Sequence, residues 1–297
     1  MLLLPPNAKI ICQGLTGSEG RSSLPGMLAY GTHIVAGVTP GKGGQTVENI
    51  PVFNTVKEAQ TTLGRVDGAV QFVPPLFTKD AVLEGIDAGL KFILISAEKV
   101  PAKDAAIIYA SARKHQVSVI GPSSVGYLSP QRRIKIGAIG GADPRQVFAP
   151  GHVAVISKSG GMTSEIGLLL KNHGLGVSWA VGIGGDRIVA TDFSDLLLAL
   201  ENDAATKAAV IFGELGGTGE QKVAGLVKDG RLTKPLVAFI TGEFAAGLPS
   251  EVQFGHAGAI IEGQAGLPSE KKRLLRESGV LTADKFDDIP KLLQKIT

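Results

Sequence analysis

The chain has 297 residues, enough for one large domain or two of ordinary size. Hydrophobic residues make up 44% and charged residues only 19%, a balance that excludes a disordered chain. The net charge of +3 comes without a basic run or an aromatic-interleaved basic patch, which excludes a dedicated nucleic-acid binder.

The 40 glycines are scattered without a period, which suits tight turns and close backbone approaches rather than a fibre. Cys12 is the single cysteine and lies in an apolar run, so it reads as a packing residue. Met1 to Leu4 is apolar but stops at Pro5-Pro6 and lacks a basic flank, so no signal peptide is expected. No apolar stretch reaches ~18 residues, so no transmembrane helix is expected. A soluble cytoplasmic protein is the expectation.

Strand-like runs alternate with helix-like runs. Ala8 to Cys12 reads as a strand, followed by a glycine turn and a helix near Ser22 to Tyr30. His33 to Val38 and Gly68 to Val73 are the next strands, with a helix after Thr78. Phe92 to Ile95 and Val117 to Ile120 continue the pattern. Short apolar strands joined by amphipathic helices imply a parallel sheet covered on both faces. Residues 123 to 152, rich in Gly, Pro and Ser, interrupt the rhythm and read as a connection between domains. The rhythm restarts with strands Val153 to Ile156, Ala208 to Phe212 and Leu236 to Ile240. Helices are expected near 162–173, 192–202 and 219–229. The chain therefore reads as two α/β domains, 1–125 and 126–297.

The first strand ends in Gly14-Leu15-Thr16-Gly17-Ser18-Glu19-Gly20. Glycines there let backbone N–H groups approach a phosphate at a helix start. The spacing alone is weak, and a plain tight turn is the competing reading. A dinucleotide-binding fold would place Asp or Glu after the second strand, to hold the ribose. Here Thr39-Pro40-Gly41-Lys42-Gly43-Gly44 puts Lys42 on a glycine loop instead. Lysine suits a ligand with an added phosphate, such as the 3′-phospho-ADP of CoA, or NADP; a solvated turn lysine is the alternative. Gly37 to Lys42 is one residue short of a P-loop and no Ser or Thr follows the lysine. With no Walker A motif, use of ATP would need a partner to grip the nucleotide.

Of the five histidines, His33, His115, His152 and His173 sit near element ends among ordinary neighbours. His256 lies in Gly255-His256-Ala257-Gly258-Ala259, where small neighbours leave the imidazole room to reach a reacting group. Two strand–glycine–helix junctions, Ser157 to Glu165 and Gly213 to Thr218, belong to the same domain. Open α/β sheets place ligands at such junctions. Their helix starts would stabilise a phosphorylated imidazole carrying about two negative charges. Glu214 could accept one ring N–H and leave the other nitrogen as nucleophile. No Gly-x-Ser-x-Gly elbow and no histidine pair at metal spacing is present, so no metal site is expected.

Together with Pro51 to Val56, Gly182 to Asp186 and Gly255 to Ile261, these motifs run in order over nearly the whole chain. They resemble the α subunits of the succinyl-CoA synthetase family. The resemblance implies a Rossmann-like CoA-binding domain followed by a flavodoxin-like ligase domain. It implies a β subunit with an ATP-grasp fold holding ATP or GTP and Mg²⁺, in an αβ or α2β2 assembly. It implies His256 as the phosphorylated residue and Glu214 as its partner. Thr16, Gly17, Ser18, Glu19, Lys42, Ser96, Ala97 and Glu98 match the positions that contact CoA in that family. Ser159, Gly160, Gly161 and Ser164 match positions lining its acid pocket.

The chain departs from that pattern at Gly121 to Gly126, at Gly161 where a threonine is usual, and at Ser164 where an aromatic ring is usual. Ser159 to Met162, Ile183 to Arg187, Gly230 to Pro235 and Ser250 to His256 resemble ATP-citrate lyase and citryl-CoA synthetase instead. A pocket with Gly and Ser has space for a bulkier acid. Citrate is the first expectation, with malate, sulfoacetate and succinate as alternatives. Two other readings compete with a CoA ligase subunit: a non-catalytic CoA-binding module and an NAD(P)-dependent dehydrogenase.

Overall fold

A computed structural model describes residues 2–243, 256–260 and 264–296. The first sheet has seven strands. They are β1 (Ile10–Gln13), β2 (Ile34–Val38), β3 (Thr46–Val47), β4 (Ile50–Phe53), β5 (Gly68–Gln71), β6 (Phe92–Ile95) and β7 (Ser118–Ile120). Their order is β3-β4-β2-β1-β5-β6-β7, parallel except for the short β3–β4 hairpin. Without β3 this is the 3-2-1-4-5-6 order of a doubly wound Rossmann sheet. Helices α1 (Ser18–Tyr30), α2 (Val56–Leu63), α3 (Pro75–Asp87) and α4 (Ala102–His115) make its crossovers. Strands β1, β5 and β6 are buried throughout, as expected of a sheet covered on both faces.

The second sheet also has seven strands, in the order β14-β13-β12-β10-β11-β8-β9. Its parallel part comprises β10 (Pro150–Ser157), β11 (Val177–Gly182), β12 (Ala208–Gly213), β13 (Leu236–Ile240) and β14 (Leu281–Ala283). These five follow the 2-1-3-4-5 order of flavodoxin-like sheets. Helices α5 (Gly160–Asn172), α6 (Phe193–Glu201), α7 (Gly219–Lys228), α8 (Pro268–Glu277) and α9 (Asp288–Gln294) cover it. No helix among the described residues is long and apolar enough to cross a membrane.

The stretch 123–152 is more than a connection. It contains β8 (Gly126–Ser129) and β9 (Ile134–Gly137), a hairpin that adds antiparallel strands to the edge of the second sheet. Its glycines and serines mislead because the strands are only four residues long. The hairpin is also where the two sheets meet. Tyr127 packs between Phe92 of β6 and Trp179 of β11 in tilted contacts, with ring centroids 5.1 and 5.2 Å away. Buried side chains of both sheets therefore join one core that includes Ile10, Leu94, Tyr127 and Trp179. Cys12 is part of it, and burial pushes its thiol up, away from reactivity.

Tyr127 also ties down the start of the chain. Its hydroxyl accepts from the Leu4 N–H at 3.0 Å and donates to the Leu2 carbonyl at 3.1 Å. Replacing it with Phe leaves the buried Leu4 amide without its acceptor, at a cost of ~1–3 kcal/mol. Tyr127→Phe is therefore expected to melt roughly 2–4 °C lower per kcal/mol lost. Faster amide exchange at Leu4 should accompany it; an unchanged melting point with unchanged exchange would contradict the assignment.

Candidate functional site

Two crevices open where the strand order reverses, one in each sheet. In the first sheet a cavity of about 410 Å³ is lined by Gln13, Gly14, Thr39, Pro40, Pro74 and Phe77, among others. It adjoins the turn that carries Thr16 and Gly17. Gly17 caps α1 without a side-chain hydrogen bond, and Ser18 and Glu19 are the first residues of the helix. Lys42 follows β2 on an exposed turn closed by its own N–H to the Thr39 carbonyl at 3.1 Å. Ser96, Ala97 and Glu98 follow β6. Ser96 Oγ donates to Glu19 Oε1 at 2.5 Å, so these two segments meet.

In the second sheet the reversal lies between β10 and β12. The loop after β12 carries Glu214. Nδ1 of His256 lies 2.9 and 2.8 Å from its two carboxylate oxygens. Side-chain exposure is 31% for His256 and 14% for Glu214, so the ring reaches solvent while the carboxylate is mostly covered. The hydrogen bond to Glu214 holds the imidazole pKa above its ordinary value, against the opposing effect of burial. With Nδ1 committed to the carboxylate, Nε2 carries the free lone pair of the neutral ring.

The ring rests on the loop after β11. A Cβ at Gly185 would fall 2.5 Å from its Cγ and Cδ2, so no larger residue fits beneath it. The same loop accepts the Gly258 N–H at the Gly185 carbonyl, 2.9 Å away. Its Asp186 carboxyl takes backbone hydrogen bonds from Lys99 and Val100, and burial pushes its pKa up. The other four histidines are exposed, and Nδ1 of His115, His152 and His173 bonds a backbone carbonyl. Ser250 to Gly255 and Ile261, which belong to the sequence motif around His256, lie outside the described residues.

The two helix starts differ in a way the sequence does not reveal. Ser159 caps α5 by accepting from Met162 N–H at 3.4 Å, and the first turn has no acid. Gly160 and Gly161 open that helix. A Cβ on Gly161 would meet nothing within 4 Å, whereas one on Gly160 would strike Val125. Ser164 lies in the following turn. The first turn of α7 instead contains Glu220, which is fully buried. Lys271 Nζ lies 2.7 Å from its Oε2, and Lys158 Nζ lies 3.2 Å from its Oε1. The acid in the first turn of α7 is thus held between two lysines, while the first turn of α5 carries Ser159 as its cap and no acid.

A cavity of about 350 Å³ opens beside Glu214, lined by Lys158, Asp186, Arg187 and Gly217 and, across it, by Tyr109 and Arg113 of α4. Ser159, Gly160, Gly161 and Ser164 do not line it. Sequence reasoning missed Lys158, Glu220 and Lys271. Lys158 stands inside the Ser157 to Glu165 motif, and its charge beside two serines and two glycines was the available signal. Lys271 sits in the run Glu270-Lys271-Lys272-Arg273, which has the pattern of a solvated helix face.

The family model of the CoA binding domain matches residues 6–99, and that of the CoA-ligase matches residues 156–281. The succinate–CoA ligase [ADP-forming] subunit alpha 1 of Archaeoglobus fulgidus is 40% identical over 99% of this chain and 98% of its own length. The corresponding alpha subunit of Staphylococcus epidermidis is 41% identical over 97% of this chain and 92% of its own. The Methanosaeta concilii ATP citrate lyase, solved in complex with (3S)-citryl-CoA, superposes with a TM-score of 0.91 at 28% identity. That match covers 98% of this chain, which spans 50% of the lyase chain. On its motifs, its two sheets and its relatives over nearly full length, the chain belongs to the family of succinate–CoA ligase α subunits.

Proposed function

We propose that this chain is the CoA-binding, phosphohistidine-carrying α subunit of an acid–CoA ligase. The observation that carries the reading is the Glu214 carboxylate on Nδ1 of a partly exposed His256. Nε2 then attacks the terminal phosphoryl group of ATP or GTP, and the nucleoside diphosphate leaves. The acid carboxylate takes that phosphoryl group from Nε2 and becomes an acyl phosphate, restoring the imidazole. The CoA thiolate displaces phosphate from the acyl carbonyl and gives the acyl-CoA. Each transfer conserves the phosphoryl group, so His256 acts as a carrier.

Division of the chain at 1–125 and 126–297 assigns CoA to the first domain and phosphoryl transfer to the second. Thr16, Gly17, Ser18, Glu19, Lys42, Ser96, Ala97 and Glu98 would hold CoA, with Lys42 facing its extra phosphate. The backbone at the α1 start suits a pyrophosphate, since no side chain caps it. The nucleotide and Mg²⁺ are assigned to a β subunit with an ATP-grasp domain, in an αβ or α2β2 assembly in the cytoplasm. The chain offers no P-loop of its own.

Ser159, Gly160, Gly161 and Ser164 are assigned to the acid. Open space above Gly161 and the absence of an acid in the first turn of α5 support a di- or tricarboxylate. Citrate is the first acid to test, because of the lyase neighbour; succinate follows from the closer sequence relatives. A ligase assay of the co-expressed pair against citrate, succinate, malate and sulfoacetate decides the order. Turnover of none of the four would refute this assignment of the acid.

Incubating the co-expressed complex with γ-labelled ATP should give an acid-labile, base-stable phosphoprotein. His256→Ala is expected to abolish the label, and equal labelling of that variant would end the proposal.

The pH dependence follows from the geometry. Attack needs a neutral ring, and Glu214 raises the imidazole pKa above ~6.5. Phosphorylation should therefore rise with pH to a midpoint above that value. Glu214→Gln removes the largest raising contribution, so the midpoint should move down and the plateau rate should fall at least roughly tenfold. A pH–rate profile that superposes on wild type would show that the carboxylate does not govern the ring.

A further inference from the structure

Lys271 is one of three buried lysines among the described residues, none of which the chemistry above uses. Lys271, on α8, has a side chain with 0% exposure. Its ammonium has three N–H donors and three acceptors within reach. These are the Glu214 carbonyl at 2.7 Å, the Gly216 carbonyl at 2.5 Å and Glu220 Oε2 at 2.7 Å. Burial lowers its pKa to about 8, and the negative charge of Glu220 opposes that drop.

A buried ammonium with all three donors satisfied is a rigid node, because leaving any one unmet inside the protein is costly. Two of its acceptors are backbone carbonyls of the loop that carries Glu214. One of them belongs to Glu214 itself. The third acceptor, Glu220, is also buried, with Lys158 across from its other oxygen. Glu220 fits there because residue 213 is glycine: a Cβ at that position would lie 2.3 Å from Glu220 Oε1. The loop is fastened at the same place by the Gly216 N–H to the Gly266 carbonyl, 2.9 Å away in the turn before α8. Glu214 thus has a backbone anchored on α8 and a carboxylate directed at His256.

Resting on the phosphohistidine reading, we propose that Lys271 is a positioning residue for the transfer: it fixes the Glu214 backbone so that the carboxylate stays on Nδ1 of His256. Glu214 acts on the ring only from one direction and distance. If its carbonyl loses the ammonium, the loop can turn, the carboxylate leaves Nδ1, and the proton is free to move to Nε2. That tautomer has no lone pair at the attacking nitrogen.

The test uses the co-expressed complex. Lys271→Met retains the length of the side chain but removes its charge and donors. It is expected to lower the rate of His256 phosphorylation at least roughly tenfold, as loss of an orienting partner does elsewhere. The midpoint of its pH profile should also shift down toward ~6.5, the ordinary histidine value. A staple that only holds α8 to the sheet would lower the melting point without moving the midpoint. A fall in melting temperature with rate and midpoint unchanged therefore overturns the proposal. Because Lys271→Met leaves Glu220 buried, the double variant Glu220→Leu/Lys271→Met is measured as well; it removes both buried partners and should fold. Wild-type rate and midpoint in that variant would equally overturn the proposal. Absence of labelling in wild-type complex would instead refute the underlying phosphohistidine reading.

Discussion

The carboxylate–imidazole contact at Glu214 and His256 depends on two loops that are far apart in the chain. Glu214 leaves the end of β12, and His256 arrives 42 positions later. Nothing local to either loop would hold a 2.8 Å contact between them. The contact persists because each loop is fastened to other parts of the fold. His256 sits on Gly185, and Gly258 donates to the Gly185 carbonyl. The Glu214 loop is bonded to α8 and to the turn before it. A hydrogen bond to a charged group contributes about 1.5–3 kcal/mol, too little to organise loops that were otherwise loose. The scaffold sets the contact, and the contact then sets which ring nitrogen is free.

The second constraint is the field in which that nitrogen sits. Two helices begin at the reversal of strand order, and a sequence reading treats their glycine-rich starts as equals. Glu220 breaks the equivalence. It places a fixed carboxylate in the first turn of α7 and draws Lys158 and Lys271 around it. The start of α5 has no such acid. The first turn of α5 therefore carries no fixed negative charge, whereas that of α7 carries one held between two lysines.

Much of the fold could be read from the sequence, for reasons tied to particular residues. Phe92 to Ile95 and Leu236 to Ile240 are dense apolar runs bounded by turn residues, and they form strands with those limits. Strand β11 is harder to see. Gly174 and Gly176 precede it and Ser178 interrupts its apolar run, yet Ser178 is buried with its hydroxyl 2.8 Å from Thr206 Oγ1. The β8–β9 hairpin was hidden by its Gly and Ser content for the same reason. At the site, His256 and Glu214 stood out because unusual residues lay in small-residue loops. Lys271 did not, because burial of a lysine is decided by what folds over it, and neighbouring charges suggest the opposite.

Arrangement of the two crevices adds one further step. Residues 96–98 were matched to CoA contacts, and the next two residues donate their N–H groups to Asp186. Asp186 neighbours Gly185, on which the His256 ring lies. The Ala97 carbonyl meanwhile accepts the Ser123 N–H at 2.8 Å, at the entry to the second sheet. The segment after β6 and the segment beneath the imidazole are thus parts of one hydrogen-bonded unit that bridges both sheets. Asp186 is partly buried, and two backbone donors help to make its charge tolerable there. The Asp186 carboxyl that takes those two N–H donors and the Gly185 backbone beneath the imidazole are therefore neighbouring parts of the same loop, set against the segment that follows β6.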